Sequence, residues 1–341
     1  MPQAPPGKRS KPDPSSWKKI ALVSAAVLVV FIAANIITWY SSGYFQREAS
    51  YRADVEAVAN HPDVRTVFAG DSHFAVPLND LIDVDPHGPA YSIAFGGDSL
   101  RECYAKLRRV LNESHTIDTV IVSADPHMFG KGRLESSNRS FADWYFLLAG
   151  DRSGLRRGWA SAVLDQIPLL NNDFLQYLRK EIGAELDRLR GRAGPAGESD
   201  AVPWDKLTEA QRSAEAHNTG AEDHAGIGDS PVPYYWYERI LKLARDHHVR
   251  VIGMRFPVHR EYAAQAPPKQ VAAIDAFLLR NGVAQIIDLR GALTDPRDFQ
   301  DEDHVNDTGV VPLLPIVEKR LGRPLMAHRP EQAAANSSAS R

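Results

Sequence analysis

The sequence contains a single cysteine, Cys103, so no disulfide can form within the chain. Cys103 lies in a predicted helix without a Cys or His framework around it, and we interpret it as a half-buried, small apolar residue. The formal net charge is only -3 over 341 residues, and this near balance does not indicate a nucleic-acid-binding protein. The hydrophobic content of 43% is nevertheless enough for a sizeable core.

Motifs for nucleotides and metals are also missing. The sequence has no glycine-rich phosphate-binding loop. His247 and His248 are adjacent, and on a helix they point about 100° apart, which does not suit one shared ion. The acidic residues Asp301, Asp303 and Asp307 lack the glycine and the closing glutamate of a calcium loop. The sequence therefore predicts no cofactor and no metal.

One long apolar run lies near the N-terminus. Residues 20–40 contain no charged side chain and match the roughly 20 residues that a membrane helix requires. The basic residues before it predict a cytoplasmic N-terminus and an extracytoplasmic, periplasmic remainder. These residues are Lys8, Arg9, Lys11, Lys18 and Lys19. A cleaved signal peptide is the alternative, but its apolar region is usually about 7–15 residues. We therefore predict a single-pass anchor in the inner (cytoplasmic) membrane.

Five short runs rich in β-branched and aromatic residues follow, and each has a helical partner. The run at 119–123 is almost continuously apolar, as expected of a parallel strand buried on both faces. The alternation predicts a three-layer α/β/α domain with a five-stranded parallel sheet and right-handed crossovers. The predicted strands are 64–69, 90–95, 119–123, 249–254 and 284–289, and the main predicted helices are 99–113, 235–247, 270–280 and 309–321.

These elements predict the domain organisation. The segments are a disordered cytoplasmic tail (1–18), the anchor (19–41), a stalk or first helix (42–62), the α/β domain (63–325) and a disordered tail (326–341). The domain carries an insertion at about 130–233, with helical patterns at 140–148 and 159–189 and loop-like patterns at 191–200 and 218–233. We interpret the insertion as a lid or cap beside the active site, and an arbitrary surface insertion is the alternative.

A candidate nucleophile follows the first predicted strand. This strand leads into Gly70-Asp71-Ser72, and open α/β sheets bind ligands outside the carboxyl ends of their strands. Asp301 and His304, far downstream, would complete a nucleophile, base and orienter. Asp303 is an alternative orienter, but we expect a residue adjacent to the base to be poorly placed. Taken alone, Ser72 also fits a helix N-cap, and the acidic loop fits a cap of the last helix.

Both motifs resemble blocks of the SGNH (GDSL-type) hydrolase superfamily. Gly70-Asp71-Ser72 is similar to its first block, and Asp301-x-x-His304 is similar to its last. The pattern Phe-x-Asp-x-x-His-x-Asn-x-x-Gly over residues 299–309 resembles more closely the membrane-anchored branch that works in cell-envelope acyl transfer. That branch includes the alginate O-acetyltransferases and the protein that completes D-alanyl transfer to teichoic acid. The resemblance covers about residues 64–321, with a variable middle.

The resemblance implies Ser72 as nucleophile, His304 as base and Asp301 as its orienter. The Ser72 N–H is one candidate oxyanion donor, and Gly96-Gly97 matches the superfamily's glycine block, although a tight turn capped by Asp98 or Ser99 is the alternative. The superfamily's third block carries an asparagine that donates to the oxyanion. Residues 124–129 contain none, and an ionised Asp125 would repel an oxyanion.

Further polar residues follow the predicted strands. Candidate substrate contacts are Asp71, His127, Arg255 and His259. A solvated loop histidine is the alternative for His127, and surface charge is the alternative for Arg255 and His259. His73 would face either the rim of the site or the sheet.

These observations predict a membrane-anchored, extracytoplasmic serine O-acyltransferase or esterase that acts on a cell-envelope or exported polysaccharide. The resemblance implies an integral membrane protein as acyl donor and a polysaccharide as acceptor. The alternative is a catalytically silent carbohydrate-binding or assembly protein that keeps the fold, which the missing asparagine supports. Transfer and hydrolysis use the same triad, so the sequence does not separate them. A secreted lipase would predict an apolar acyl groove, and the polar loops give that reading little support.

Overall fold

The computed structural model describes residues 14–82, 88–134, 136, 138–190 and 202–326. At its centre lies a five-stranded parallel sheet with the order β2-β1-β3-β4-β5. The strands are β1 (Thr66–Ala69), β2 (Ala90–Ser92), β3 (Thr119–Ser123), β4 (Arg250–Arg255) and β5 (Ile286–Asp288). The predicted α/β class with a parallel sheet is confirmed. Only β3 has the predicted bounds, because strand ends depend on pairing partners as well as on apolarity.

Helices cover both faces of the sheet. In the described residues they are α1 (Pro14–Ser41), α2 (Gly43–Ala59), α3 (Ser72–Ile82), α4 (Leu100–Glu113), α5 (Arg139–Leu148), α6 (Trp159–Leu164), α7 (Asn172–Leu189), α8 (Glu209–Asp223), α9 (Val232–Asp246), α10 (Arg260–Ala264), α11 (Pro268–Arg280) and α12 (Asp307–Leu321). Each face of the sheet carries its own apolar cluster. Val67 and Val120 belong to one cluster, and Phe68 and Ile121 belong to the other, because successive strand residues point to opposite faces.

The register of the sheet positions the loops that carry polar residues. Ala69, the last residue of β1, pairs with Val122 of β3, which in turn pairs with Gly253 of β4. The strands are parallel, so the loops after β1, β2, β3 and β4 all leave the sheet at the same edge. A functional site is expected at this edge in an open α/β sheet.

Helix α1 contains a 25-residue segment, Trp17–Ser41, in which an 18-residue window reaches a mean hydropathy of 2.8. It is long enough and apolar enough to cross a membrane. The chain then turns at Ser42, whose hydroxyl accepts a hydrogen bond from the Tyr44 N–H at 3.3 Å. Helix α2 follows and packs on α4 with Tyr51 and Val55 buried. Residues 43–59 are therefore part of the packed domain.

The insertion after β3 is mostly helical. The predicted helix over 159–189 is interrupted, because Pro168 and a one-turn helix at Pro168–Leu170 separate α6 from α7. The loop predicted at 218–233 is wrong in part. Helix α8 begins with a capping box at Thr208 and Gln211 and continues through Asp223. The predicted loop at 191–200 and most of both predicted tails lie outside the described residues.

A buried ion pair connects the loop after β2 to α4. Asp98 and Lys106 are almost fully buried, and their charged atoms are 2.5 Å apart. Lys106 also donates to the Ile93 carbonyl. Burial raises the pKa of Asp98 to about 7 even though Lys106 opposes this shift. Removal of the lysine would leave an uncompensated buried carboxyl group.

We expect Lys106→Met to lower the free energy of unfolding by about 3–5 kcal/mol, the usual cost of removing one member of a buried ion pair. Chemical denaturation of the purified chain in detergent measures this change. Lys242→Met is the matched control, because Lys242 pairs with Asp246 on the exposed face of α9. An equal effect of the two substitutions would contradict the importance assigned to the buried pair.

Candidate active site

Ser72 lies at the carboxyl edge of the sheet, where β1 turns into α3. It is half-buried and is the first residue of α3. Asp71 precedes the helix, and its carboxylate accepts a hydrogen bond from the His73 N–H at 3.3 Å. Ser72 is thus not the residue that caps α3. Gly70 permits this turn, because a Cβ atom there would lie 2.8 Å from the Phe74 ring.

His304 lies in the loop before α12, on the same edge. Its Nδ1 atom is 2.8 Å from Asp301 Oδ1, and its backbone N–H donates to the same oxygen at 2.8 Å. The predicted pair is therefore in contact, with Asp301 on the Nδ1 side of the ring. A β-bridge between Phe299 and Val305 closes the loop. Asn306 caps α12 and thereby fixes the end of the loop.

The ring of His304 packs against the ring of His73, the residue that follows Ser72. The centroids of these two rings are 5.4 Å apart. Among the described residues, no hydrogen bond joins the Ser72 hydroxyl to His304. Catalytic contacts of this kind are often longer in free enzymes and shorten in the substrate complex.

Asp303 contacts the base as closely as Asp301 does, and the expectation that it is poorly placed is wrong. Its Oδ1 atom lies 2.8 Å from His304 Nδ1, and its Oδ2 atom lies 3.0 Å from His73 Nε2. Neighbouring side chains diverge in an extended strand, but this loop is a tight turn. The N–H groups of Asp303 and His304 both donate to Asp301 Oδ1, which brings the two carboxylates to one side of the ring.

These two carboxylates control the protonation of His304. Burial lowers the pKa of its imidazole, but the hydrogen bonds with Asp301 and Asp303 outweigh burial and raise the pKa to about 9. The pKa of Asp303 is held well below its usual range, because the hydrogen bonds and charges of His304 and His73 outweigh the effect of burial. At pH 7 only about 1% of His304 is then neutral and able to accept a proton.

Asp71 and His127 form a second buried pair beneath Ser72. Asp71 is fully buried and His127 is 1% exposed, and His127 Nε2 lies 2.7 Å from Asp71 Oδ2. Arg133, from the start of the insertion, lies 2.9 Å from the same oxygen. Both side chains are buried and paired, so the solvated alternative for His127 is wrong. Their role in this arrangement is to hold the loops together.

His73 connects the two pairs and faces inward. Its side chain is fully buried, with Nδ1 3.5 Å from Asp125 and Nε2 3.0 Å from Asp303. Burial lowers its pKa, but Asp71, Asp125 and Asp303 together raise the pKa well above the ordinary value. Asp125, which stands near the position of the missing asparagine, is therefore a partner of His73.

Two groups of side chains have the types that bind metal ions. They are Asp71, His73 and His127, and His73, Asp303 and His304, and the ligand atoms of each group lie within 4.8 Å of one another. Several of these atoms already pair with each other, and Arg133 supplies a fixed positive charge at Asp71. We interpret the arrangement as an ion-pair network.

The glycine turn after β2 lies beside Ser72. A Cβ atom on Gly96 would be 3.8 Å from the Ser72 Cβ atom, so the turn forms one wall of the site. The Gly96 carbonyl accepts hydrogen bonds from Arg47 at 2.7 Å and from Asn138 at 3.0 Å. In a trans peptide the N–H points opposite to the carbonyl, so the Gly97 N–H points away from Arg47 and Asn138. Gly97 has φ 86°, which favours glycine.

This geometry makes the Gly97 N–H a candidate oxyanion donor with a fixed direction. Ser99 caps α4 with a capping box, so the capped turn of the alternative interpretation is also present. Arg47 comes from α2 and Asn138 from the insertion, and sequence analysis identified neither residue. No local motif marks them, because their partner is a backbone carbonyl distant in the sequence.

Arg255 and His259 lie farther along the edge. Arg255 is 2% exposed and is paired with Asp275 and Asp288, so its placement does not support substrate contact. His259 caps α10, and its N–H donates to the Glu302 carbonyl at 2.8 Å. His259 lines a cavity of ≈ 180 Å³ with Trp204 and Phe299, among other residues. This cavity adjoins the loop that carries His304.

The insertion borders the same loop. Helix α8 packs on α10, and Asp223 at its end accepts a hydrogen bond from the Tyr262 hydroxyl at 2.9 Å. Thr219 of α8 forms a hydrogen bond with the Glu302 side chain. The insertion thus contacts the His304 loop through α8 and contacts Asp71 through Arg133.

Comparisons with known proteins give likenesses to solved structures and no family. No family model matches the chain, and no curated protein matches it. Among solved structures, one described as a "putative acylhydrolase" from Bacteroides fragilis NCTC 9343 is 11% identical, with a TM-score of 0.39. The match covers 80% of this chain and 95% of that one. A likeness at this level carries no argument about activity, which therefore rests on the site residues.

The carboxylates predict a specific pH dependence. If neutral His304 is the base, acylation of Ser72 rises with pH up to about pH 9. Asp303→Asn removes a negative charge beside Nδ1, so the midpoint should move to lower pH. The rate of acylation by p-nitrophenyl acetate, measured from pH 6 to pH 10.5, gives both midpoints.

Glu302→Gln is the matched control for this shift. Glu302 belongs to the same loop, but its side chain bonds with Thr219 of α8. The pH midpoint of acylation in Glu302→Gln should stay within about 0.3 pH units of the midpoint of the unmodified chain, because the Glu302 carboxylate does not contact the His304 ring. A midpoint in Asp303→Asn equal to that of the unmodified chain would contradict the assignment of Asp303.

Asn138 provides a test of the Gly96-Gly97 turn as the source of an oxyanion donor. Asn138→Ala removes one of the two donors that orient the Gly96 carbonyl and should reduce the acylation rate about 10-fold, less than the effect of deleting an oxyanion donor directly. The reduction should appear as a uniform drop without a shift of the pH midpoint. Ser136→Ala, which removes a donor to the Gly97 carbonyl, provides the comparison for the neighbouring peptide.

Proposed function

We propose that the protein is a membrane-anchored serine acyltransferase or esterase that acts outside the cytoplasm on a cell-envelope or exported polysaccharide. The observation that carries this proposal is the His304 loop, where a histidine held by Asp301 lies at the same sheet edge as Ser72. The glycine turn beside Ser72 supplies the third requirement, a directed N–H for an oxyanion.

The reaction proceeds in two steps through an acyl-enzyme. Ser72 Oγ attacks the acyl carbon of the donor while His304 takes the hydroxyl proton, and the N–H groups of Ser72 and Gly97 stabilise the oxyanion. The donor's leaving group departs with the proton from His304. A sugar hydroxyl or water then gives its proton to His304 and attacks the ester carbon; the bond from Ser72 Oγ to the acyl carbon breaks, and His304 returns the proton to Ser72.

The paired carboxylates favour a mechanism in which imidazolium is stabilised. His304 becomes positively charged when it takes the serine proton, and Asp301 and Asp303 lower the energy of that state. The same contacts keep most of His304 protonated at neutral pH, and this slows acylation of Ser72. The rate of acylation is therefore proportional to the fraction of His304 that is neutral.

The connection to α1 supports a membrane-associated donor. Arg47 lies six residues after Ser41, the last residue of the candidate membrane segment, in the first turns of α2. From this position it reaches the Gly96 carbonyl in the wall of the site. An acyl donor held by an integral membrane protein would therefore meet Ser72 close to the membrane surface.

One observation favours a non-catalytic alternative. The position near which the superfamily carries an asparagine is occupied here by Asp125, which is committed to His73. A protein that only binds carbohydrate would not need a side-chain oxyanion donor. Acetylation of Ser72 by an activated ester separates the catalytic function from the binding function.

Incubation of the purified chain with p-nitrophenyl acetate should give a covalent acetyl adduct on Ser72. Intact-mass spectrometry detects the adduct, and Ser72→Ala should abolish it, since no other residue of the site is a hydroxyl nucleophile in this position. Ser99→Ala is the control for general acetylation of serines, and it should keep the adduct. An adduct that persists in Ser72→Ala would exclude Ser72 as the nucleophile, and full absence of turnover with acylated donors would favour the binding protein.

A further inference from the structure

The second half of α7 presents an apolar stripe to its surroundings. Leu178, Ile182 and Leu186 recur every four residues and therefore share one face of the helix. Their exposed fractions are 38%, 52% and 43%. Within the described part of the chain, none of the three belongs to either apolar cluster of the domain. We call these three residues the α7 stripe.

The chain that leads into α7 is attached to the apolar helix α1. The Leu169 N–H donates to the Asn35 side chain at 3.0 Å, and the one-turn helix Pro168–Leu170 packs on α1. Asn35 precedes Ser41 by six residues, or about 9 Å of helical rise. The start of α7 is therefore near the level at which α1 would leave a bilayer.

The length of α1 fits this level. An apolar segment of 25 residues spans about 37 Å, whereas the hydrocarbon core of a bilayer is about 30 Å thick. The end of α1 can therefore extend into the headgroup region. Gly43, just beyond it, lies beside α7, since a Cβ atom there would be 3.8 Å from the Tyr177 hydroxyl.

The charges on α7 distinguish an apolar contact from an electrostatic one. Near the stripe the helix carries both signs, with Arg179 and Lys180 against Glu181 and Glu185. A helix attracted mainly by anionic lipids would carry an excess of basic residues on its polar face. The balanced charges point to a contact driven by burial of apolar surface.

We propose that the α7 stripe is a membrane-contacting surface that lies at the boundary between headgroups and acyl chains. It holds the domain against the leaflet from which α1 emerges, so that Ser72 stays at a fixed height above the membrane. This inference rests on the membrane anchoring in the proposed function. The occupant is the lipid bilayer, because α7 is continuous with a segment bonded to the membrane helix.

The test places a fluorescent label on each side of α7 in the full-length chain. Ile182→Cys carries the label on the stripe, and Ala184→Cys is the matched control, about 160° away around the helix. The native Cys103 is fully buried, and the unsubstituted chain measures any labelling of it. Both variants are labelled with an environment-sensitive nitrobenzoxadiazole dye and placed in phosphatidylcholine nanodiscs that contain a lipid with a nitroxide on carbon 5 of its acyl chain.

The label at 182 should be quenched at least 3-fold more strongly than the label at 184, and added salt should not change this ratio. Equal quenching at both positions, or quenching at neither, would overturn the proposal. Both positions are exposed, so folding should be retained, and circular dichroism checks it. Loss of the chain from the nanodiscs would refute the anchor itself, whereas an unquenched chain that stays bound would refute only the role of the stripe.

Discussion

The rest of the site depends on the contacts that the Asp303 carboxylate makes with His304 and His73. One of its oxygens contacts His304 and the other contacts His73, so a single side chain connects the base to the interior of the domain. Asp301 could hold the imidazole alone, but only from a loop at the surface. Through His73, the position of the base also depends on β1 and on the loop after β3.

This connection places several charges where water is scarce. Around Ser72, four cationic or ionisable groups face four carboxylates. They are His73, His127, Arg133 and His304 on one side and Asp71, Asp125, Asp301 and Asp303 on the other. Burial of such groups costs free energy that their attraction offsets only when the geometry is good. We therefore infer that the network fixes the arrangement of three loops rather than adding much stability.

Much of the fold could be predicted from the sequence, because parallel strands buried on both faces leave continuous apolar runs. β3 is the clearest case, and its neighbours were found with small errors at their ends. The insertion was harder to predict. Its helices depend on Pro168 and on the Thr208 capping box, which are local signals, but the loop-like composition near α8 suggested otherwise.

The site could be predicted only where a motif is local. Asp301 and His304 are three residues apart, and their contact is set by one turn. The role of Asp303 was missed because a residue adjacent to the base was expected to be poorly placed, whereas the turn of this loop brings its carboxylate to the ring. Asn138, Arg47 and Arg133 act on partners that are distant in the chain, and such contacts leave no pattern in the sequence.

In the proposed function, α2 connects the candidate membrane helix α1 to the active site. The first turns of α2 follow directly from the end of α1. Arg47, in these turns, donates a hydrogen bond to the Gly96 carbonyl. A change in the angle between α1 and the domain would therefore be felt at the Gly96-Gly97 peptide, where the oxyanion would form. Contact of the α7 stripe with the bilayer would fix the angle between α1 and the domain. The anchor and the α7 stripe would then contribute to catalysis by keeping the wall of the site fixed while a donor arrives from the membrane.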